Sequence, residues 1–260
     1  MKLALAQLDV SWEDKPKNKE AALMYIEQAA KLNVDMILFP EMSLTGFSMN
    51  TKAIGETNNE TKEFFKKLCL KFEIFIGFGY VEGTFNSKNK YAIMSPKGEE
   101  IVDYTKIHLF SFGTETEFYK SGNEIKHFDA LGFNIVPLIC YDLRFPETFQ
   151  IASKTASLIT VAANWPIERR DHWITLLKAR AIENQCYIAG INRVGEGDGL
   201  HYSGDSMIID PRGVVISSLY MEEGIVVADI SQNSVTKIRE SFKLKEDRRD
   251  SLYADWYCDN

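Results

Sequence analysis

Residues 134–146, with the sequence NIVPLICYDLRFP, decide the fold class of this chain. Residues 135–139 are apolar and rich in β-branched side chains, which predicts a buried β-strand. The strand ends at Cys140, and Pro146 fits the first turn of a helix, where no amide partner is needed. A cysteine at such a junction has backbone N–H groups near its sulfur that can face a reacting group. The alternative is a buried structural thiol, since free cysteine is often buried.

Strand and helix patterns alternate on both sides of this stretch. Apolar runs bounded by turn residues predict strands, and apolar residues at helical spacing predict helices. Turns are expected at residues 86–89, 96–98 and 211–213, and the polar residues 50–60 are predicted to form a loop. The predicted strands are residues 2–8, 34–39, 74–80, 91–95, 100–104, 134–139, 158–163, 187–192, 204–210, 214–217 and 225–229, and the predicted helices are residues 14–32, 58–70, 169–184 and one that starts near residue 146.

This mixture predicts stacked sheets flanked by helices rather than one open parallel sheet. At 260 residues the chain is long enough for one large domain, and no linker rich in Pro, Gly or Ser divides it. We therefore predict a single domain over residues 1–260. Its last part, residues 242–260, is charged but carries Tyr253, Trp256 and Tyr257, so this tail is expected to pack on the body or on a second subunit.

Composition and charge exclude several classes of partner. Hydrophobic residues make up 45% of the chain and charged residues 26%, as in an ordinary soluble globular protein. The net charge of -7 argues against nucleic acid or an anionic membrane surface as the main partner. No apolar segment approaches the roughly 20 residues that a membrane helix needs. Gln7 and Asp9 interrupt the apolar N-terminal run, so no signal peptide is expected either.

The cysteine and histidine spacings give no sign of a metal site. The four cysteines, at positions 69, 140, 186 and 258, form no CxxC pair, and no HxH or HExxH spacing occurs. Free thiols are typical of a reducing compartment. We therefore predict a cytoplasmic protein that uses no metal and no other cofactor.

Three chemically active side chains stand where predicted strands end. Glu41 follows residues 34–39, Lys106 follows the strand that ends near residue 104, and Cys140 follows the strand described first. Taken singly, Glu41 is better explained as a solvated loop carboxylate and Lys106 as a surface charge. Taken together, they form a nucleophile, a proton acceptor and a cation for a developing oxyanion. The pattern therefore suits attack by a thiolate, followed by activation of water by the carboxylate.

These segments resemble those of a known family. PEMSLTGF around Glu41, KIHLF from Lys106 and CYDLRFPE from Cys140 are similar to the three signature segments of the carbon–nitrogen hydrolases, the nitrilase superfamily. Three spaced motifs are far more specific than one short pattern. Further similarities are ANWP at residues 163–166, ARAIEN at 179–184, NRVG at 192–195 and HYSGDS at 201–206. The resemblance implies an α/β (α+β) fold, a four-layer α-β-β-α sandwich, in agreement with the predicted elements.

The resemblance also implies roles for individual residues. Glu41 would be the general base, Lys106 the oxyanion-stabilising cation and Cys140 the nucleophile. The family has a second glutamate between the lysine and the cysteine, and both Glu115 and Glu117 compete for that position. The distance from the SGN turn that follows favours Glu115.

Within the family, the chain is most similar to the ω-amidase branch, which hydrolyses dicarboxylic monoamides such as 2-oxoglutaramate and 2-oxosuccinamate. An anionic substrate needs a cationic recess, and Arg144 has the planar fork that binds a carboxylate through two hydrogen bonds. An equally good explanation of Arg144 is a structural ion pair with Asp142 or Glu147. The other expected substrate-binding residues are Tyr141, Asn164 and Trp165, although Trp165 fits a core position equally well.

Several functions stay open at this point. Within the family, the alternatives are an amidase for deaminated glutathione or an N-carbamoyl amino acid and, with weaker support, a nitrilase. The alternative that is not an enzyme is a binding protein of the same fold without catalytic activity. The expected partner is a small amide, with no nucleic acid and no membrane, and the resemblance implies a homo-oligomer, most simply a homodimer.

Overall fold

The computed structural model describes residues 1–258, and thirteen β-strands in this part of the chain form two sheets. Predictions for the tail at positions 259 and 260 lie outside the described residues. The strands are β1 (Lys2–Gln7), β2 (Met36–Leu38), β3 (Phe75–Glu82), β4 (Lys88–Met94), β5 (Glu100–Thr105), β6 (Phe128–Ala130), β7 (Phe133–Ile139), β8 (Leu158–Ala163), β9 (Tyr187–Asn192), β10 (Val194–Gly197), β11 (Leu200–Ile209), β12 (Val215–Tyr220) and β13 (Gly224–Asp229).

The helices lie between these strands and at the C-terminal end. The loops near the candidate site contain three short 3₁₀ helices: Ser111–Gly113, Cys140–Arg144 and Ile167–Arg169. The α-helices are α1 (Lys15–Lys31), α2 (Thr51–Ile54), α3 (Glu60–Phe72), α4 (Glu115–Phe118), α5 (Pro146–Ala152), α6 (Arg170–Asn184), α7 (Gln232–Ser241) and α8 (Asp250–Cys258).

Each sheet mixes parallel and antiparallel strands. The first sheet has the order β13-β1-β2-β3-β4-β5. The second has the order β10-β11-β9-β8-β7-β6, with β12 paired to β11. The parallel centre of the second sheet, β7-β8-β9, places the end of β7 beside the end of β8. This arrangement brings the loops that follow these two strands to the same edge.

The two faces of β1 show how the layers are built. Successive strand residues point to opposite faces. Leu3 and Leu5 therefore share a core with the apolar side chains of the second sheet, whereas Ala4 and Ala6 share one with α1 and α3. Helices α5 and α6 cover the outer face of the second sheet, where Trp173 packs in its core. The order of layers is helix, sheet, sheet, helix, so the predicted four-layer α-β-β-α fold is confirmed.

The structure corrects several predicted elements. Residues 50–60 were predicted as a loop but contain α2, and β4 begins at Lys88, inside the predicted turn 86–89. Besides α2, five elements were not predicted: α4, β6, β10, α7 and α8. Three of them have only three or four residues, too few to show a period, and α7 buries only Val235. The turns at residues 96–98 and 211–213 are confirmed by the strands they join.

The tail returns to the body of the protein. In α8, the Tyr257 hydroxyl lies 3.1 Å from Glu147 Oε1, and Asp250 pairs with Lys154 at 2.9 Å. Both partners belong to or directly follow α5. The described part of the tail therefore packs on the outer helix layer. None of the helices within residues 1–258 is long and apolar enough to cross a membrane.

Candidate active site

Three loops at strand ends bring Glu41, Lys106 and Cys140 together. Glu41 lies three residues after β2, Lys106 directly follows β5, and Cys140 directly follows β7. The first two strands belong to one sheet and the third to the other, so the site lies where strand ends from both sheets meet. The sequence motifs lie far apart along the chain, and only this stacking of the sheets makes them neighbours.

Glu41 is held by hydrogen bonds to both of its carboxylate oxygens. Its side chain is fully buried, and Oε1 accepts from Lys106 Nζ at 2.9 Å and from Asn89 Nδ2 at 2.7 Å. Oε2 accepts from the backbone N–H of Asn164 at 3.0 Å. The loop of Glu41 also runs against Gly79 of β3, where a Cβ atom would stand 2.3 Å from the backbone nitrogen of Met42. Only glycine fits this close approach.

Lys106 is a buried ammonium between two carboxylates. Its Nζ lies 2.9 Å from Glu41 Oε1 and 3.0 Å from Glu115 Oε2, and its side chain has no exposed surface. Burial lowers the pKa of Lys106, but the charges of Glu115 and Glu41 raise it by more, so the pKa is above its usual range. The lysine therefore stays protonated at neutral pH.

Glu115, not Glu117, lies beside this lysine. Glu115 opens α4, is fully buried, and also accepts hydrogen bonds from Asn89 Nδ2 at 3.0 Å and from the backbone N–H of Phe110 at 2.6 Å. Glu117 is exposed to solvent. Asn89, which the sequence assigned to a turn, thus donates to both glutamates, and its polar surroundings in Lys88–Lys90 gave no strand signal.

Cys140 occupies a strained position at the start of the 3₁₀ helix. Its φ of 44° lies in the left-handed region, which a non-glycine residue adopts only at some energetic cost. The residue is half-buried, and Sγ lies 4.0 Å from the carbonyl oxygen of Asn164. Burial, followed by the charge of Glu41, raises the pKa of the Cys140 thiol well above its usual range, and Lys106 opposes this effect. The resting group is therefore a thiol.

Asp142 fastens the cysteine turn to the lysine loop. The carboxylate is fully buried, and Oδ1 lies 2.9 Å from the backbone nitrogen and 2.8 Å from Nδ1 of His108. Oδ2 accepts from the Tyr104 hydroxyl at 2.7 Å and from the backbone N–H of Ile139 at 3.0 Å. The sequence suggested Asp142 only as an ion-pair partner of Arg144. Its hydrogen bonds to His108, Tyr104 and Ile139 depend on the folded structure, and no local sequence pattern predicts them.

A cavity opens above Cys140. It contains about 450 Å³ of unfilled space, including its open mouth. The four predicted substrate-binding residues, Tyr141, Arg144, Asn164 and Trp165, all line it. Sequence reasoning missed the other six lining residues, although four of them lie in the quoted motifs. These missed lining residues are Phe47, Phe110, Pro166, Arg169, Leu200 and Tyr202.

Trp165 belongs to both the cavity wall and the core. Its residue is buried, with 3% exposure, and its ring centroid lies 5.4 Å from that of Trp173. The indole Nε1 donates to the carbonyl oxygen of Arg169 at 2.8 Å. Trp165 is thus a core residue that also lines the cavity, and its contact with substrate stays a prediction.

Arg144 is not paired with either predicted carboxylate. Asp142 is occupied by the donors described above, and Glu147 accepts from Tyr257. Within residues 1–258, no carboxylate oxygen lies within 4.0 Å of the Arg144 guanidinium. Instead, the guanidinium carbon lies 4.8 Å from the Trp165 ring, and Nη2 lies 3.2 Å from His172 Nδ1. The structural ion pair is therefore wrong, and the charge faces the cavity.

No metal-binding cluster occurs in the part of the chain that the structure describes. There, no group of three His, Cys, Asp or Glu side chains has the arrangement of a metal site. His201, within the HYSGDS segment, is largely exposed and does not line the cavity. Its neighbour Tyr202 lines the cavity instead, because successive residues of β11 face opposite sides.

Comparisons with known proteins cover almost the whole chain. A family model described as carbon-nitrogen hydrolase matches residues 2–240. A 2-oxoglutaramate amidase of Bacillus subtilis is 35% identical over 256 residues, which cover 96% of this chain and 98% of that protein. The omega-amidase YafV of Escherichia coli is 34% identical over 250 residues, which cover 95% and 96%. A solved CN-hydrolase superfamily protein from Xanthomonas campestris, with an arsenic adduct in its active site, has a TM-score of 0.90 at 30% identity and covers 95% of this chain and 97% of that one.

Proposed function

The chain belongs to the carbon–nitrogen hydrolase family, as its motifs predicted, and we propose that it is a cysteine-dependent ω-amidase. It is a hydrolase of amide carbon–nitrogen bonds. We further propose which residues act as nucleophile and base and which amide is the substrate. The observation that carries the proposal is the 2.9 Å contact of Lys106 Nζ with Glu41 Oε1 beside the cavity that Cys140 lines. A carboxylate, an ammonium and a thiol are the groups that acyl transfer through sulfur requires.

In the first half-reaction, the Cys140 thiol gives its proton to Glu41 while the sulfur attacks the carbonyl carbon of the amide. The carbonyl oxygen becomes an oxyanion, which Lys106 stabilises. An ammonium has three N–H groups, and two suffice for Glu41 and Glu115. The backbone N–H of Tyr141 is the proposed second donor. Glu41 then passes the proton to the amide nitrogen, the C–N bond breaks, and ammonia leaves.

In the second half-reaction, water attacks the thioester and gives a proton to Glu41. The C–S bond breaks, and Glu41 returns that proton to the departing sulfur. The sum is amide plus water giving acid plus ammonia. One base serves both steps, so its carboxylate must keep its position throughout. The hydrogen bonds from Asn89, at 2.7 Å, and from the Asn164 backbone, at 3.0 Å, support this requirement.

We assign Glu115 the role of keeping Lys106 charged. A buried ammonium beside a thiolate would otherwise give up a proton to the sulfur and lose its value as an oxyanion donor. Burial lowers the pKa of Lys106, but the charges of the neighbouring Glu115 and Glu41 raise it. With Glu115 in place, Glu41 can accept and return protons while the ammonium stays intact.

The proposed substrates are dicarboxylic monoamides, with 2-oxoglutaramate and 2-oxosuccinamate as the leading candidates. Relatives at 34–35% identity are a 2-oxoglutaramate amidase and an ω-amidase. The distal carboxylate of such a substrate loses water on entering the cavity, which is costly unless a fixed cation replaces it. Arg144 faces the cavity without a carboxylate partner among residues 1–258, which supports its assignment to this anion.

A screen of ammonia release tests the proposal. The protein should turn over 2-oxoglutaramate or 2-oxosuccinamate with kcat/KM about 10 to 150-fold above glutamine, asparagine, an N-carbamoyl amino acid or a simple nitrile, the range that a charge-assisted contact supplies. Hydrolysis of deaminated glutathione releases an amine instead of ammonia, so for this substrate the assay should measure the amine product. Preference for one of these other compounds would replace the ω-amidase assignment, and no turnover of any of them would favour a silent binding protein.

Cys140→Ala and Cys140→Ser separate the proposed nucleophile from the other thiols. Both variants should keep the wild-type melting temperature and lose ammonia release to background, because only the sulfur is removed. Cys258→Ser is the matched control, since Cys258 is exposed in the tail and does not line the cavity. Substantial turnover by either Cys140 variant would show that another group attacks the amide.

We also propose that the protein is a cytoplasmic homodimer. The outer helix layer exposes apolar side chains at Trp256 and Tyr257 of α8 and at Ile151 of α5, which is the kind of surface that a second subunit covers. Light scattering coupled to gel filtration should give twice the monomer mass. A monomer at micromolar concentration would remove the dimer from the proposal.

A further inference from the structure

A second arginine lines the same cavity. Arg169 ends the 3₁₀ helix Ile167–Arg169, is half-buried, and places its guanidinium carbon 5.4 Å from the Phe110 ring. Within residues 1–258, no carboxylate oxygen lies within 4.0 Å of this guanidinium, and its nitrogens donate to no protein acceptor. Like Arg144, it is a cation at the cavity whose charge the protein does not neutralise.

Three other arginines in the body of the protein pair with carboxylates, unlike these two. Arg170, the next residue, binds both carboxylate oxygens of Asp205 at 2.8 Å. Arg180 pairs with Glu183 at 2.9 Å, and the buried Arg193 pairs with Asp9 at 2.9 Å. A partly desolvated guanidinium is costly unless an anion or water satisfies it. An unneutralised pair of them around one cavity therefore points to an anion that arrives from solution.

The two cavity arginines are held by one indole ring. Trp165 Nε1 donates to the carbonyl oxygen of Arg169 at 2.8 Å, and the Arg144 guanidinium lies 4.8 Å from the same ring. The backbone N–H of Arg169 also donates to Pro166 at 3.1 Å. The Arg144 guanidinium and the Arg169 backbone are therefore held before a ligand binds, which reduces the entropy lost on binding.

The charge of the lining residues is one-sided. Arg144 and Arg169 bring two positive charges to the cavity, and none of its lining residues is an aspartate or a glutamate. The third cation, Lys106, is already paired with Glu41 and Glu115. A carboxylate with an adjacent 2-oxo group presents acceptor oxygens only, which suits two guanidinium forks. A 2-amino acid amide such as glutamine carries an ammonium there, which would face like charges and find no carboxylate.

We propose that Arg169 acts with Arg144 to bind the acid end of the substrate and that it sets the preference for 2-oxo acid amides over 2-amino acid amides. This inference rests on the proposed ω-amidase function and deepens it. Arg169 does not take part in bond making or breaking. Its role is a specificity-determining contact with the end of the substrate that lies away from Cys140.

The test compares three amides of equal chain length in wild type and Arg169→Gln: 2-oxoglutaramate, glutamine and the neutral valeramide. For Arg169→Gln we expect kcat/KM on 2-oxoglutaramate to fall about 10 to 100-fold, mainly through KM, as expected for loss of a charge-assisted contact. The ratio of 2-oxoglutaramate to glutamine should fall as well, and valeramide should change less than threefold. Arg212→Gln is the matched control, because Arg212 is 73% exposed and lies outside the cavity.

Two results would overturn the inference and leave the proposed function in place. One is an equal loss on all three amides, which would make Arg169 structural, and the other is no loss on 2-oxoglutaramate. In both cases wild type would still prefer 2-oxoglutaramate to valeramide. If wild type prefers valeramide or glutamine, the proposed substrate class fails and the inference about Arg169 fails with it.

Discussion

Asp142 and His108 are joined by two hydrogen bonds, from the backbone nitrogen at 2.9 Å and with Nδ1 at 2.8 Å, both to Asp142 Oδ1. Since an ionised carboxylate only accepts, Nδ1 is the protonated nitrogen of this imidazole. The His108 ring also stacks on Phe145 at 3.7 Å. The turn that carries Cys140 and the loop that carries Lys106 thus form one rigid unit, although they come from different sheets.

Asp142→Asn should therefore affect both stability and turnover. The asparagine amide has one acceptor oxygen where the carboxylate has two, and its other group is an NH₂ donor. That NH₂ group would face the donors of His108 in one orientation of the amide, or those of Tyr104 and Ile139 in the other. Each buried group left unsatisfied costs about 1–3 kcal/mol, so urea unfolding should show a loss of at least that size. Turnover should fall with it, because the sulfur shifts relative to Lys106.

Asp129→Asn is the control for that substitution. Asp129 is exposed and accepts from Asn134 at 2.9 Å, so its change should stay within about 0.5 kcal/mol. Unchanged stability and turnover in Asp142→Asn would contradict the account of a rigid unit.

The raised pKa of Cys140 predicts how the free enzyme reacts with a small neutral thiol reagent. Below its pKa a thiol is protonated, so a raised pKa means little thiolate at pH 7 and a modification rate that keeps rising beyond pH 9. Modification by methyl methanethiosulfonate, followed by mass spectrometry in a Cys258→Ser background, measures this rate. A plateau near pH 7 would show a thiolate at rest instead. The buried Cys69 and Cys186, whose pKa values burial raises to about 12, serve as internal controls.

Glu41→Gln separates the charge of Glu41 from its role as a base. The negative charge of Glu41 is one cause of the high Cys140 pKa, second to burial, so its removal should lower that pKa and speed modification at each pH. Amide turnover should nevertheless collapse, because no group accepts the thiol proton in the complex. Slower modification together with retained turnover would contradict the assigned base.

Arg144→Lys tests recognition of the distal carboxylate. Lysine keeps the charge but loses the planar fork, so kcat/KM for 2-oxoglutaramate should fall by about 1.5–3 kcal/mol of transition-state binding. A neutral amide of similar length should be much less affected. Equal losses on both substrates would make Arg144 structural, without altering the roles proposed for Glu41, Lys106 and Cys140.

The sequence predicted those parts of the site that local patterns encode. Glu41, Lys106 and Cys140 each follow a predicted strand, and each lies in a motif of several residues. The ends of strands can be predicted from the pattern of apolar residues, and a motif indicates which residue at a strand end is chemically active. The convergence of the three is a property of the stacked sheets, which the sequence indicated only through the family resemblance.

The residues that were missed act through tertiary contacts. Asn89 lies between two lysines, so nothing marks it as a strand residue, yet the register of β4 with β3 and β5 points its amide at both glutamates. Arg169 lies three residues after the ANWP segment, beside the ion-paired Arg170, and no sequence rule tells these two arginines apart. Their partners, or lack of partners, emerge only once the chain is folded.

The central claim is that Cys140 carries the acyl group during turnover. Wild-type protein mixed with 2-oxoglutaramate, quenched in acid within milliseconds and analysed by intact mass and peptide mapping, tests it directly. We predict an adduct equal to the acyl portion of the substrate on the peptide that contains Cys140, and none in Cys140→Ala. A burst of ammonia without any adduct, or an adduct on Cys69, Cys186 or Cys258, would contradict the account.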